Sequence, residues 1–174
     1  MIKKLTNNER RVLEYFMQRP DEIHIRGLSE EVEMPYPSVR KALKDLEEEG
    51  FVESDEKSKM TFYSPTGEKF RKAKKLVNLE KLEDSGIANF LEKELRPEAV
   101  VLFGSFLEGR DDEDSDIDIA VISGREKDLD LKEFEETLGR EIHLTEVENL
   151  KQENKEFRNT LANGLVLQGY LEVI

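Results

Sequence analysis

The sequence predicts an α/β chain of two domains: three short helices and a hairpin, followed by an α+β mixed-sheet domain. Three observations predict it. Before residue 66, apolar residues recur at helical spacing behind recognisable caps and are followed by two extended stretches. After residue 98, one continuous apolar run and one alternating run read as strands of a covered sheet. The charge is also divided: residues 1–75 carry 16 Lys and Arg against 15 Asp and Glu, whereas residues 76–174 carry 11 against 25. Two surfaces so different suit two domains with different partners.

The 174 residues suffice for two small cores, and the net charge is -13. An acidic second half repels nucleic acid unless metal ions intervene, whereas the near-neutral first half can touch DNA locally. Cysteine is absent, which excludes disulfides and thiolate metal sites and fits a reducing compartment. No apolar run approaches the roughly 20 residues of a membrane span, and Met1 to Glu9 lacks an apolar signal core. The expectation is a soluble cytoplasmic protein with no membrane partner.

Thr6-Asn7-Asn8-Glu9 is a capping box, a hydroxyl with a carboxylate three residues on. Val12, Leu13 and Phe16 continue it as the apolar stripe of a first helix, which Pro20-Asp21 ends. A second helix fits Ile25 to Val32, with Ile25, Leu28 and Val32 inward and His24 as a surface or capping residue. Pro37 suits the first turn of a third helix, where its missing N–H costs little. That helix carries Val39, Ala42, Leu43 and Leu46 on one face and stops at Gly50. Phe51-Val52-Glu53 and Met60-Thr61-Phe62-Tyr63, joined by a polar turn, make a hairpin.

Ser38-Val39, Leu43, Leu46 and Gly50-Phe51-Val52 resemble the winged helix-turn-helix regulators of bacteria and archaea. The resemblance implies that the third helix enters the major groove of double-stranded DNA, with Tyr36, Ser38, Arg40, Lys41 and Lys44 as the contacting positions. A homodimer follows from the paired half-sites such regulators read. Another reading stays open. Lys41–Asp45 and Lys44–Glu48 lie at i,i+4 spacing and can pair with each other. The wing carries Glu53, Asp55 and Glu56 beside Lys57 and Lys59, which suits a protein-binding or dimerisation module.

The domains are expected at residues 1–66 and 79–174, with 67–78 as a linker helix. Ser64-Pro65-Thr66-Gly67 breaks the chain after the hairpin. The basic stretch from Glu68 to Lys75 either flanks DNA or is a solvated linker helix. Leu76 to Leu95 reads as helical, with an interruption at Asp84-Ser85-Gly86.

The chemistry concentrates in residues 99–121. Ala99 to Phe103 is a buried strand in pattern. Gly104 permits a sharp turn, and free backbone N–H groups at Ser105, with its hydroxyl, can hold phosphate oxygens. Ten residues later, Asp116 and Asp118 alternate with Ile117, Ile119 and Val121. Period two puts both carboxylates on one face of a strand. Two carboxylates so close repel unless a cation sits between them, and magnesium takes such oxygens together with the phosphates of a substrate. Further strands are expected near 141–146 and 165–169.

Gly104-Ser105, ten residues, then Asp116-x-Asp118 resembles the DNA polymerase beta-like nucleotidyltransferase superfamily. Gly-Ser-x-x-x-Gly followed by Ser-Asp-Ile-Asp is similar to its minimal members. Phe157-Arg158-Asn159 and Asn163 to Leu167 resemble their last helix and strand. The resemblance implies nucleotide phosphates on Gly104 and Ser105, and magnesium on Asp116 and Asp118. It also implies transfer of a nucleoside monophosphate from a nucleoside triphosphate such as ATP to a hydroxyl acceptor. In small members that acceptor can belong to a helical, toxin-like partner, which makes an autoregulated antitoxin one expectation. Two positions depart from the pattern. The third carboxylate of the family is replaced by His143, with Glu141 one step earlier on the same face, and Glu108 stands where the loop often has arginine. Glu141 or His143 is the candidate for assisting the attacking hydroxyl. The alternative is a transcriptional regulator whose second domain senses nucleotide or a partner protein without turnover. The run from Asp111 to Asp118 can also be a solvated acidic hairpin. A calcium loop is excluded, because its sixth and twelfth positions would be Ile117 and Ser123.

Overall fold

In the computed structural model, residues 5–57, 59–125 and 127–172 are described. The chain divides into two compact units, Met1–Lys74 and Lys75–Ile174.

The first unit begins with α1 (Asn7–Gln18), closed at its start by the capping box. Glu9 N–H donates to Thr6 Oγ1 at 3.3 Å, and Thr6 N–H donates to Glu9 Oε2 at 3.0 Å. Two donors with no helical partner are thereby satisfied. β1 (Ile23–His24) leads into α2 (Ile25–Glu31), and α3 (Tyr36–Glu48) follows with a proline in its first turn. Val12, Leu13 and Phe16 of α1 meet a core formed with Leu28, Val39, Leu43 and Leu46. Gly50 ends α3 in the left-handed region at φ +77°, which a side chain would resist. β2 (Val52–Lys57) and β3 (Met60–Pro65) form the wing, and β1 pairs with β3 to make a sheet ordered β1-β3-β2. The wing strands run further than their apolar pattern suggests. The two-residue strand β1 is not visible in the sequence, because two residues carry no periodicity. His24 is indeed a cap: its Nδ1 accepts the Gly27 N–H at 2.7 Å.

α4 (Gly67–Ser85) starts earlier than Leu76, so the basic stretch 69–75 is helical, and α5 (Ile87–Leu95) follows after Gly86. The second unit is built on β4 (Ala99–Phe103), α6 (Gly104–Glu108), β5 (Ile117–Ile122), α7 (Lys132–Leu138), β6 (Ile142–Val147), a 3-10 turn at Leu150–Gln152, α8 (Lys155–Ala162) and β7 (Leu165–Gly169). The strand order is β6-β5-β4-β7. β5 and β6 are parallel and the other pairs antiparallel, so the sheet is mixed, as the sequence predicts. Side chains alternate between two cores. Val100, Leu102, Ile117, Ile119 and Val121 pack with Leu82, Ile87, Leu91 and Leu95. Ala99, Val101, Ala120 and Ile122 pack with Leu161 of α8. Covering on both faces explains why β4 reads as a continuous apolar run rather than an alternating one. α7 is hard to read in the sequence because it is short and its apolar residues, Phe134 and Leu138, are only partly buried against the core.

Candidate nucleotide site and candidate DNA surface

The turn from β4 into α6 is made by Gly104 at φ +78°. Phe103 is paired across the sheet with Asp118, which brings the Asp118 side chain against the glycine. A Cβ at position 104 would lie 2.2 Å from Asp118 Oδ2. The site thus needs glycine twice, for the left-handed backbone and for the room its missing side chain leaves to the carboxylate. Ser105 stands half-buried in the first turn of α6.

Asp116 lies exposed just before β5, and Asp118 is half-buried within it. Burial raises the Asp118 carboxyl pKa above the aspartate value, His143 opposes that shift, and the like charge of Asp116 adds to it. The parallel register of β5 on β6 sets His143 opposite Asp118. Asp118 therefore feels both Asp116 and His143. Glu141 precedes β6 and is exposed; its carbonyl accepts the Ile117 N–H at 2.9 Å. Among the described residues, no three His, Asp or Glu side chains converge as a metal-holding group. The arrangement is a carboxylate pair with an imidazole beside it. Such a pair fits a hard divalent cation that takes its other ligands from phosphate and water.

Because the folded state holds Asp118 protonated to a higher pH than the unfolded chain does, its charge opposes folding above that range. Asp118→Asn is accordingly expected to raise the melting temperature at pH 7. The gain should vanish as pH falls below the ordinary aspartate value of 3.8, where the carboxyl is neutral in both states. Thermal melts at the two pH values check this.

The loop between α6 and β5 is held by a network that sequence reasoning missed. Asp111 is fully buried, which corrects its reading as part of a solvated acidic run. Its Oδ2 accepts Arg140 Nη2 at 2.9 Å and its Oδ1 accepts Asn78 Nδ2 at 2.8 Å. The side chains in the Asp111–Arg140 ion pair are 0% and 11% exposed. Arg140 also donates to the carbonyls of Ser115, at 2.8 Å, and Asp112. Ser115 Oγ closes the turn onto Asp112 Oδ1 at 2.6 Å. The loop that delivers Asp116 is therefore clamped at its base. Glu108 pairs with Arg110 at 3.0 Å.

On α3, Tyr36, Arg40, Lys41 and Lys44 are exposed and Ser38 is half-buried, so the five predicted positions share the outer part of one helix. Lys44 pairs with Glu48 at 3.7 Å, as its spacing suggests. Arg40 and Lys41 make no ion pair among the described residues. Tyr36 opens onto a groove that Arg26, Lys59 and Met60 also line. In the wing, Lys57 is held by Glu22 at 2.5 Å and Asp55 at 3.7 Å.

Residues 85–169 match the family model of the polymerase beta nucleotidyltransferases, and residues 11–56 match that of the IclR helix-turn-helix domain. The protein is a nucleotidyltransferase-type domain fused to an N-terminal winged helix-turn-helix domain. Among solved structures, a mutant of Lactococcus lactis ZitR aligns at 20% identity over 53% of this chain and 64% of that one, with a TM-score of 0.40. Lactococcus lactis ZitR, a zinc-responsive MarR family member, aligns at 21% identity over 53% and 76%, with a TM-score of 0.36. The archaeal chromatin protein TrmBL2 aligns at 16% identity over 90% and 69%, with a TM-score of 0.34. No curated protein matches the chain.

Proposed function

We propose that this protein is a DNA-binding nucleotidyltransferase that moves a nucleoside monophosphate from a triphosphate, ATP foremost, to a hydroxyl acceptor. The observation that carries the reading is the Asp118 carboxylate seated against Gly104, where no side chain fits. It supports the reading because a carboxylate there can hold a cation beside a turn whose backbone N–H groups suit phosphate oxygens. Magnesium held by Asp116 and Asp118 would neutralise the triphosphate and the leaving pyrophosphate. The acceptor oxygen bonds to the α-phosphorus as the bond to the bridging oxygen breaks, and pyrophosphate leaves. His143, opposite Asp118 in the sheet, takes the acceptor proton in this scheme. Incubation with magnesium, lysate and ATP labelled at the α-phosphate tests it. Wild-type protein should label an acceptor, and the Asp116→Ala, Asp118→Ala double variant should not.

The winged unit reads DNA as a homodimer, and the acceptor is a side chain of a helical, toxin-like partner, giving an autoregulated antitoxin. Arg40→Ala combined with Lys41→Ala should weaken operator binding and reduce the salt slope by about two, one for each phosphate left without its cation. An unchanged slope in salt-titrated binding assays would assign the helix to protein contacts instead.

A second reading is favoured by His143 at the third carboxylate position and by the exposure of Glu141. The nucleotidyltransferase unit then binds nucleotide without turnover and passes its occupancy to the DNA-binding unit. ATP binding without label transfer would establish it.

A further inference from the structure

We propose that Arg158 is a phosphate-binding residue of this nucleotide site, standing in for the arginine that the phosphate loop lacks at Glu108. The inference rests on the nucleotide-binding reading above. Among the described residues, Arg158 Nε is buried and finds no hydrogen-bond partner. A guanidinium N–H enclosed without an acceptor is costly and calls for an anion that completes it. Four other cations of the same unit are paired. Arg140 meets Asp111, Arg110 meets Glu108, Lys127 meets Glu94, and Lys151 meets Glu172. Arg158 forms no ion pair among the described residues.

Its position in the fold points to the ligand. α8 covers the face of the sheet that carries Ala120 and Ile122. Asp118 belongs to that face by strand alternation. Phe157, the neighbour of Arg158, packs edge-on against Phe103 with ring centroids 6.0 Å apart. Phe103 is the residue before Gly104 and the partner of Asp118 across the sheet. The aromatic pair therefore anchors the start of α8 beside the proposed phosphate turn. The cation on the loop itself, Arg110, is engaged by Glu108, which leaves the triphosphate without a loop arginine. Guanidinium suits the role because its fixed fork of donors matches phosphate oxygens.

Calorimetric titration of the full chain with ATP and magnesium, set against adenosine and inorganic triphosphate, tests the assignment. Arg158→Gln is expected to weaken ATP and triphosphate about tenfold or more, to leave adenosine unchanged, and to leave the melting temperature unchanged or higher. Arg158→Lys should retain part of the affinity. Wild-type binding of ATP matched by Arg158→Gln would overturn the role of Arg158 and leave the site reading standing. A lower melting temperature with equal losses for ATP and adenosine would overturn it in favour of packing. Failure of the wild-type chain to bind ATP at all would overturn the nucleotide reading and this inference with it.

Discussion

Gly104→Ala is expected to destabilise the protein by about 1–2 kcal/mol, the cost of forcing an L side chain into the left-handed region. It should also abolish nucleotide transfer. The two effects have separate causes. The first comes from φ +78°. The second comes from the methyl group, which would sit 2.2 Å from Asp118 Oδ2 and must drive that carboxylate away. Gly139, at φ +68° with nothing within 4 Å of a built Cβ, separates them. Gly139→Ala should show the backbone cost and keep full activity. Denaturant melts and label transfer on both variants give the comparison. Full activity in Gly104→Ala would mean that the position of Asp118 is immaterial to the chemistry.

Asp111→Ala should have the largest effect on stability, a loss of about 3 kcal/mol or more. Removing one partner of a buried ion pair leaves the other charge uncompensated. Arg140, with its side chain 11% exposed, would keep its hydrogen bonds to the carbonyls of Asp112 and Ser115 but lose its counter-charge. Asn78 would keep only the Phe106 carbonyl, at 2.9 Å. The loop that carries Asp116 should loosen, so transfer should fall further than the folded fraction does. Urea melts, with activity normalised to folded protein, measure both. A loss below about 1 kcal/mol would show the network to be solvated rather than buried.

This network also marks where the sequence stops being legible. The strand β5, the turn at Gly104 and the two aspartates are readable because they lie close together in the chain and follow a strict alternation. The caps are readable for the same reason: Thr6 with Glu9, and His24 with Gly27, interact across three positions. Asp111 is not, since its partners lie 29 and 33 residues away and nothing local separates it from the solvated carboxylates that follow. A clue does exist. Arg140 stands alone between Gly139 and Glu141 at the entry to a strand that pairs beside the acidic loop. The strand β1 and the helix α7 escape for other reasons, one too short to show a period and the other short with only the partly buried Phe134 and Leu138 on its apolar face. The third-carboxylate question is visible as a substitution, but only the register on Asp118 shows that the imidazole has a carboxylate to act beside.

The most direct measurement compares ATP labelled at the α-phosphate with ATP labelled at the γ-phosphate, each incubated with the protein, magnesium and lysate. If the groups at 104, 105, 116 and 118 form a nucleotidyl-transfer centre, only the α-label should pass to an acceptor, and changing both aspartates to alanine should remove it. Transfer of the γ-label alone, or α-label transfer that survives the double change, would contradict that assignment.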